Sequence, residues 1–323
     1  NNLVIGDSGS TSDVFVAQLT VSAPMMMMFN ASAATFTPLP TLTWGAPLSV
    51  YACDPARDLS PVSVDSNGTQ GLYASDAPAI SSTGRYIVFD SVADNLVTGD
   101  TNGVSDVFIY DRENCQTERV SVDASGVEGN GASELPYVSP NGRYVTFISS
   151  ASNLIASDTN NQPDLFLKDR QTGTVTRILA NAPYGGFIGD DNQSIAYRSG
   201  NSIRLYNLST LVDTQILSLS NLSVGRRFVS NDIRYFVFSS TDNNLVAGDT
   251  NGTADVFLYD RQTSQMARIS ISPTGAVPNG ASYDASISGS CRYMVFSSSA
   301  SNLVTGDTNG VPDIFFRDLI TGA

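Results

Sequence analysis

Asp100-Thr101-Asn102-Gly103-Val104-Ser105-Asp106-Val107-Phe108 is an acidic turn that runs straight into an apolar strand. It recurs as Asp158 to Phe166, Asp249 to Phe257 and Asp307 to Phe315, and the outer pairs of copies are each 58 residues apart. The lead-in repeats as well, Asn95-Leu96-Val97 before the first copy and Asn302-Leu303-Val304 before the last. A fixed period of this length marks a repeat architecture, and it outranks any local reading.

Around each copy the same order of segments returns. In the first, Ala77 to Ser82 is a short apolar run, Ser82-Thr83-Gly84 a turn, and Arg85-Tyr86-Ile87-Val88-Phe89 a strand rich in β-branched and aromatic residues. Asp106 to Tyr110 follows the acidic loop as a third strand, Asp111 to Asn114 turns, and Glu118 to Val122 is a fourth. Their apolar residues fall on both faces, as they must when a sheet packs against a neighbour on each side. Short antiparallel four-stranded sheets repeated along a chain are propeller blades. Arg143 to Phe147 with Asp164 to Leu167, Arg234 to Phe238 with Asp255 to Tyr259, and Arg292 to Phe296 with Asp313 to Phe316 repeat the pattern. Between Arg143 and Arg234 a degenerate blade, Ser194 to Leu217, has lost its acidic loop. Upstream, Ser49 to Cys53 and Pro61 to Asp65 match third and fourth strands, and Met25 to Met28 fall where an inner strand belongs and read as flexible core filler.

The expected fold is therefore all-β: one six-bladed β-propeller of four-stranded antiparallel blades, roughly 54 residues each. The blades fall at about 20–66, 76–123, 133–180, 183–219, 224–273 and 281–323, after an N-terminal segment, 1–19. Ser139-Pro140-Asn141-Gly142-Arg143 through Phe147, with Asp164-Leu165-Phe166, resembles the TolB-like propeller repeat, and the resemblance covers residues 76 to 323 best. It implies a propeller that serves as a binding platform, as a gate to a peptidase, or as a secreted or surface module.

The two ends do not balance. The last blade stops where its fourth strand belongs, while residues 1 to 16 copy a lead-in, loop and third strand. Two readings stay open. The N-terminal segment closes its own ring as the outer strand of the last blade, or it pairs with the next molecule, and such head-to-tail donation gives a homo-oligomer or filament.

The loops offer side-chain oxygens at positions 1, 3 and 7, a spacing suited to Ca²⁺. The candidate sets are Asp100, Asn102, Asp106; Asp158, Asn160, Asp164; Asp249, Asn251, Asp255; and Asp307, Asn309, Asp313. Asp7 and Asp13 form a weaker set, with Gly9 between them. The competing reading is an Asx-type turn whose oxygens cap backbone amides and need no ion.

Composition narrows the function. The chain of 323 residues carries 17 basic and 31 acidic residues, a net charge of −14, and has neither a basic patch nor a long apolar run, so nucleic-acid binding is disfavoured and no membrane span is expected. It holds no histidine, which removes imidazole-based triads, zinc sites and proton shuttles. Lys168, the only lysine, reads as a solvated strand tip. Arg85, Arg143, Arg234 and Arg292 read as partners for carboxylates between blades. Cys53 and Cys115 fall where neighbouring blades can bring them together as a disulfide, leaving Cys291 free. A Ser/Thr/Asn/Asp-rich, lysine-poor chain beginning at Asn1 fits a mature secreted protein. The leading expectation is a secreted, non-catalytic structural or adhesive subunit of an extracellular assembly. The alternatives are a monomeric platform for glycan or protein ligands and, more remotely, a glycan-active enzyme working through Asp.

Overall fold

The computed structural model describes residues 15–17 and 59–321. Every regular element there is a strand, and among the described residues no helix is long and apolar enough to cross a membrane. Two short strands come first, β1 (Phe15–Ala17) and β2 (Leu59–Pro61). The first blade is β3 (Ser75–Ile80), β4 (Tyr86–Ser91), β5 (Asp106–Asp111) and β6 (Gln116–Arg119), hydrogen-bonded in that order. The second is β7 (Ser133–Val138), β8 (Tyr144–Ser149), β9 (Asp164–Asp169) and β10 (Val175–Leu179). The third is β11 (Gly186–Ile188), β12 (Ser194–Ser199), β13 (Ser202–Asn207) and β14 (Val212–Ser218). The fourth has β15 (Tyr235–Ser240), β16 (Asp255–Asp260) and β17 (Gln265–Arg268), its first strand reduced to the bridges Ser223 to Ser239 and Val229 to Phe236. The fifth is β18 (Ser282–Ile287), β19 (Tyr293–Ser298) and β20 (Asp313–Asp318). All pairings are antiparallel, and the architecture is a β-propeller.

Two contacts fix the register of the second and third strands in every blade but the third, where Ala196 faces Leu205. At the centre, directly opposed phenylalanines stack: Phe89 on Phe108, Phe147 on Phe166, Phe238 on Phe257 and Phe296 on Phe315, with ring centroids 5.7–6.0 Å apart. Such pairs contribute about 0.5–1.5 kcal/mol beyond the area they bury. At one end an arginine reaches across to the last carboxylate of the third strand. Arg143 donates through Nε (2.9 Å) and Nη2 (2.7 Å) to the two oxygens of Asp169, and Arg85–Asp111 and Arg234–Asp260 repeat the fork. Arg292 donates both bonds to one oxygen of Asp318. These arginines pair within a blade, where pairing between blades was the expectation; the direct opposition of strand ends brings the partner closer than any neighbouring sheet.

Three further expectations change. The described residues form five blades where the repeat count gives six, and the expected blade at 20–66 lies outside them apart from 59–66. The segment read as an unmatched N-terminal third strand has a partner in its own chain: Phe15 faces Pro61, Val16 Ser60 and Ala17 Leu59. That is the register in which Phe108 faces Arg119 in the first full blade, since Pro61-Val62-Ser63-Val64-Asp65 is the counterpart of Arg119-Val120-Ser121-Val122-Asp123. Phe15–Ala17 thus takes the place expected of Ser49–Cys53, because the strand pattern identifies a third strand irrespective of how much chain separates it from the fourth. Lys168 is buried, not a solvated tip. Its ammonium donates to the carbonyls of Val122 (3.3 Å), Asp123 (3.0 Å) and Gly173 (3.0 Å), tying the second blade to the first, and burial lowers its pKa. Arg317 plays the same part for the fifth blade, donating to the carbonyls of Ile269 (3.0 Å) and Ile271 (2.8 Å) of the fourth.

Cys115 is disulfide-bonded and Cys291 is a free thiol. Cys53, the expected partner of Cys115, lies outside the described residues.

Candidate functional site

Each acidic loop places its first and last Asp beside the head of a third strand. In the first blade Asn102 turns its amide toward the strand: Nδ2 donates to Asp106 Oδ2 (2.8 Å) and to the Gly129 carbonyl (2.9 Å), while Oδ1 accepts the Val104 N–H (3.0 Å). The asparagine oxygen is thereby used as a backbone cap in all four loops, by Asn160 for Gln162, Asn251 for Thr253 and Asn309 for Val311. The two carboxylates share a guanidinium from the fourth strand. Arg119 Nη1 lies 3.2 Å from Asp100 and 3.4 Å from Asp106, and 2.9 Å from Glu128. Arg177 spans Asp158 (3.3 Å) and Asp164 (2.9 Å), and Arg268 spans Asp249 and Asp255 (3.2 Å each). Burial pushes the Asp100 carboxyl up to about 6, against the pull of Arg119, and raises Asp106 and Asp249 as well. Asp307 and Asp313, in the blade whose fourth strand is absent from the described residues, have no arginine partner among them; Asn309 Nδ2 donates to Asp313 at 2.9 Å.

A second feature lies on the propeller axis. The first strands carry the same bulge in three blades, with Ala77, Leu135 and Asp284 at positive φ and the register shifting across each. These strands, with the turns that follow them, enclose a cavity of about 500 Å³. Ile80, Val138, Phe187 and Ile188 give it apolar walls, and Asp190, Arg226, Arg227 and Asn231 give it polar ones. Adjacent turns hydrogen-bond around the axis, the Asp190 N–H to the Asn231 carbonyl (2.8 Å) and the Asn231 N–H to that of Gly289 (3.1 Å). Arg226 also borders a smaller pocket of about 220 Å³, walled by Leu135, Tyr184, Val224 and Phe228. Tyr137 belongs to both and donates its hydroxyl to the Arg226 carbonyl.

The arginines of this cavity are held differently from those of the loops. Arg227 stacks over the Phe187 ring at 5.4 Å and donates to Asn231 Oδ1, while its Nε is buried without a hydrogen-bond partner. Among the described residues neither Arg226 nor Arg227 forms an ion pair. The charge of Arg226 is felt at Asp90, which receives the Leu135 N–H at 3.1 Å; its carboxyl is pushed up to about 6, chiefly by burial and further by Glu134 and Asp76, while Arg226 pulls it down. Gly225 precedes the pair because a Cβ there would sit 2.3 Å from the Ala285 carbonyl of the next blade.

No sequence motif marks this cavity, yet the repeat carries a signal for it. Aligned on the turn after the first strand, the positions of Arg226-Arg227 hold Ala77-Pro78, Leu135-Pro136, Gly185-Gly186 and Asp284-Ala285 in the other blades. Only the fourth blade places charge of one sign at both.

No protein-family model matches the chain, and no curated protein does. The chain is similar in structure to TolB from Acinetobacter baumannii, at 17% identity and a TM-score of 0.44, over 68% of this chain and 47% of that one, so the likeness spans about half that protein's length. A TolB candidate from Agrobacterium tumefaciens aligns at 15% identity and a TM-score of 0.49, over 82% of each chain. The β-propeller domain of the Trilobed protease from Pyrococcus furiosus aligns at 11% identity and a TM-score of 0.47, over 76% of this chain and 68% of that one. The neighbours also include an oligogalacturonate lyase and an acylaminoacyl peptidase from Pyrococcus horikoshii.

The arginine of a loop neutralises carboxylates that cannot reach water. Arg119→Met strands Asp100 and Asp106 and is expected to cost about 3–5 kcal/mol in denaturant unfolding. Asp313→Asn, in the loop with no arginine, is expected to cost under about 1 kcal/mol. Equal losses would show that the guanidinium is not what holds these loops.

Proposed function

We propose that the chain is a non-catalytic interaction module whose ligand seats in the axial cavity. The observation that carries this reading is a 500 Å³ cavity built by the first strands of the propeller and lined by two arginines without ion-pair partners among the described residues. Binding is favoured over catalysis by the groups on its walls. The chain has no histidine, Asp190 is the one carboxylate of the lining, and the hydroxyl of Tyr137 is already engaged, with burial raising its pKa. A fragment library screened by ligand-observed NMR is expected to yield binders that Val138→Trp and Ser286→Trp abolish by filling the cavity. Binders that survive both substitutions would place the site elsewhere.

A second reading is the structural or adhesive subunit, and its support is the last blade. Ile314 and Phe316 of β20 are 75% and 61% exposed, whereas their counterparts Val107 and Ile109, and Leu165 and Leu167, are buried. The outer edge of β20 also pairs with no strand among the described residues. The sixth blade expected over 20–66 would cover this face within one chain; a neighbouring chain would cover it in an assembly. Light scattering on the purified chain separates them. An assembly predicts multimers that Ile314→Glu with Phe316→Glu dissociates, while a wild-type monomer that the same pair merely destabilises points to closure within the chain.

Secretion belongs to both readings, supported by the lysine-poor composition and the disulfide at Cys115, which persists in oxidising compartments. Calcium also remains a proposal for the acidic loops. An ion at Asp100, Asp158 or Asp249 has to displace an arginine, so the set Asp307, Asn309, Asp313 is the copy most open to it. A calcium-dependent rise in melting temperature that Asp313→Asn removes and Asp164→Asn leaves intact is the expected outcome. No shift on adding a chelator would end the calcium reading.

A further inference from the structure

We propose that the axial cavity takes a carboxylate carried on an apolar body, with Arg227 recognising the carboxylate and Arg226 supplying a second positive charge. The proposal rests on the binding-module reading and adds the class of ligand. Its starting point is an imbalance of charge. The chain has a net charge of −14, and the arginines of the loops and strand ends sit against carboxylates, Arg119 and Arg177 in the loops and Arg143 and Arg234 at the strand ends, while Arg317 and Arg198 are engaged by carbonyls. Arg226 and Arg227 are adjacent in sequence, face one cavity, and have no such partner among the described residues, although Asp190 lines the same space. Arg226 is exposed, but Arg227 is only partly exposed and its buried, unpartnered Nε–H has lost hydration without recovering a counter-charge. An anion entering the cavity relieves that cost.

The geometry narrows which anion. Arg227 is oriented before any ligand arrives, by the ring of Phe187 on its face and by Asn231 at one Nη, and a fixed guanidinium suits planar, two-oxygen groups. Ile80, Val138 and Ile188 leave most of the surrounding wall apolar, and the smaller pocket beyond Tyr137 and Arg226 is bounded by Leu135, Val224 and Phe228. A body that leaves water for these walls gains free energy in proportion to its apolar area. Asp190 at the rim, in an acidic chain, disfavours a doubly charged group such as phosphate relative to a single carboxylate.

The test is a calorimetric titration of the intact chain with benzoate, phenylacetate and 4-phenylbutyrate, each beside its neutral primary amide, and with inorganic phosphate. At least one acid is expected to bind saturably, with its amide and phosphate weaker by about tenfold or more. Arg227→Gln is expected to weaken the acid by about tenfold, Arg227→Lys and Arg226→Gln by less, and Asp190→Asn to tighten it. Unfolding midpoints of the four variants report that the cavity is intact. Amides or phosphate binding as tightly as the acids, or acid binding unchanged in Arg227→Gln, would overturn the carboxylate assignment and leave the binding module standing. No saturable binding of any acid or amide would overturn both.

Discussion

A carboxylate with no route to water heads the third strand of three blades, and much of the structure follows from keeping it paired. Asp106, Asp164 and Asp255 are fully buried, and an isolated charge in such a place costs several kcal/mol. Each meets the arginine of its own fourth strand, the amide of an asparagine four residues upstream, and a further donor: Ser121 Oγ at 2.5 Å, the Asn181 N–H at 2.8 Å, or Ser270 Oγ at 2.7 Å. The loop, the third strand and the fourth strand are therefore one electrostatic unit. In the last blade, which has no fourth strand among the described residues, Asp313 is only half-buried and its strand exposes apolar side chains.

That arrangement also sets apart the axis. At the loops and strand ends charge is compensated locally, by loop arginines and by the arginine forks, and Lys168 and Arg317 are engaged by the carbonyls of neighbouring blades. Against this background the uncompensated pair in the axial cavity is conspicuous in physical terms. The fourth blade places residues 226 and 227 where the remaining blades carry small, apolar or acidic residues, and Gly225 lets the next blade approach closely just before them.

Much of the blade was legible in the residues. Phe89 and Phe108, or Phe147 and Phe166, lie at matching points of repeated strands, and their pairing follows from the period alone. The loss of the acidic loop in the third blade is visible too, as Gly200-Asn201 joining β12 directly to β13. Less legible were contacts that depend on which side of a strand faces which neighbour. Lys168 occupies a place where Tyr110 stands in the first blade, and nothing in its sequence context announces three carbonyls around it. The role of Arg119 was hidden for a similar reason. Thirteen residues separate it from Asp106, and only the β5–β6 hairpin folds that distance to 3.4 Å.

By itself the sequence determined the repeat unit, its four-strand plan, the loops that head each third strand and the absence of imidazole chemistry, because these are local patterns and simple inventory. Tertiary structure decided the partners. It gave Phe15–Ala17 a strand in its own chain, turned the arginines at the strand ends inward to their own blades, and set guanidinium groups in three of the four acidic loops. It also gathered five first strands around one cavity and left two arginines facing it. Coulomb and hydrogen-bond energies act over a few ångströms of space, and in a propeller those ångströms are set by how one sheet turns against the next.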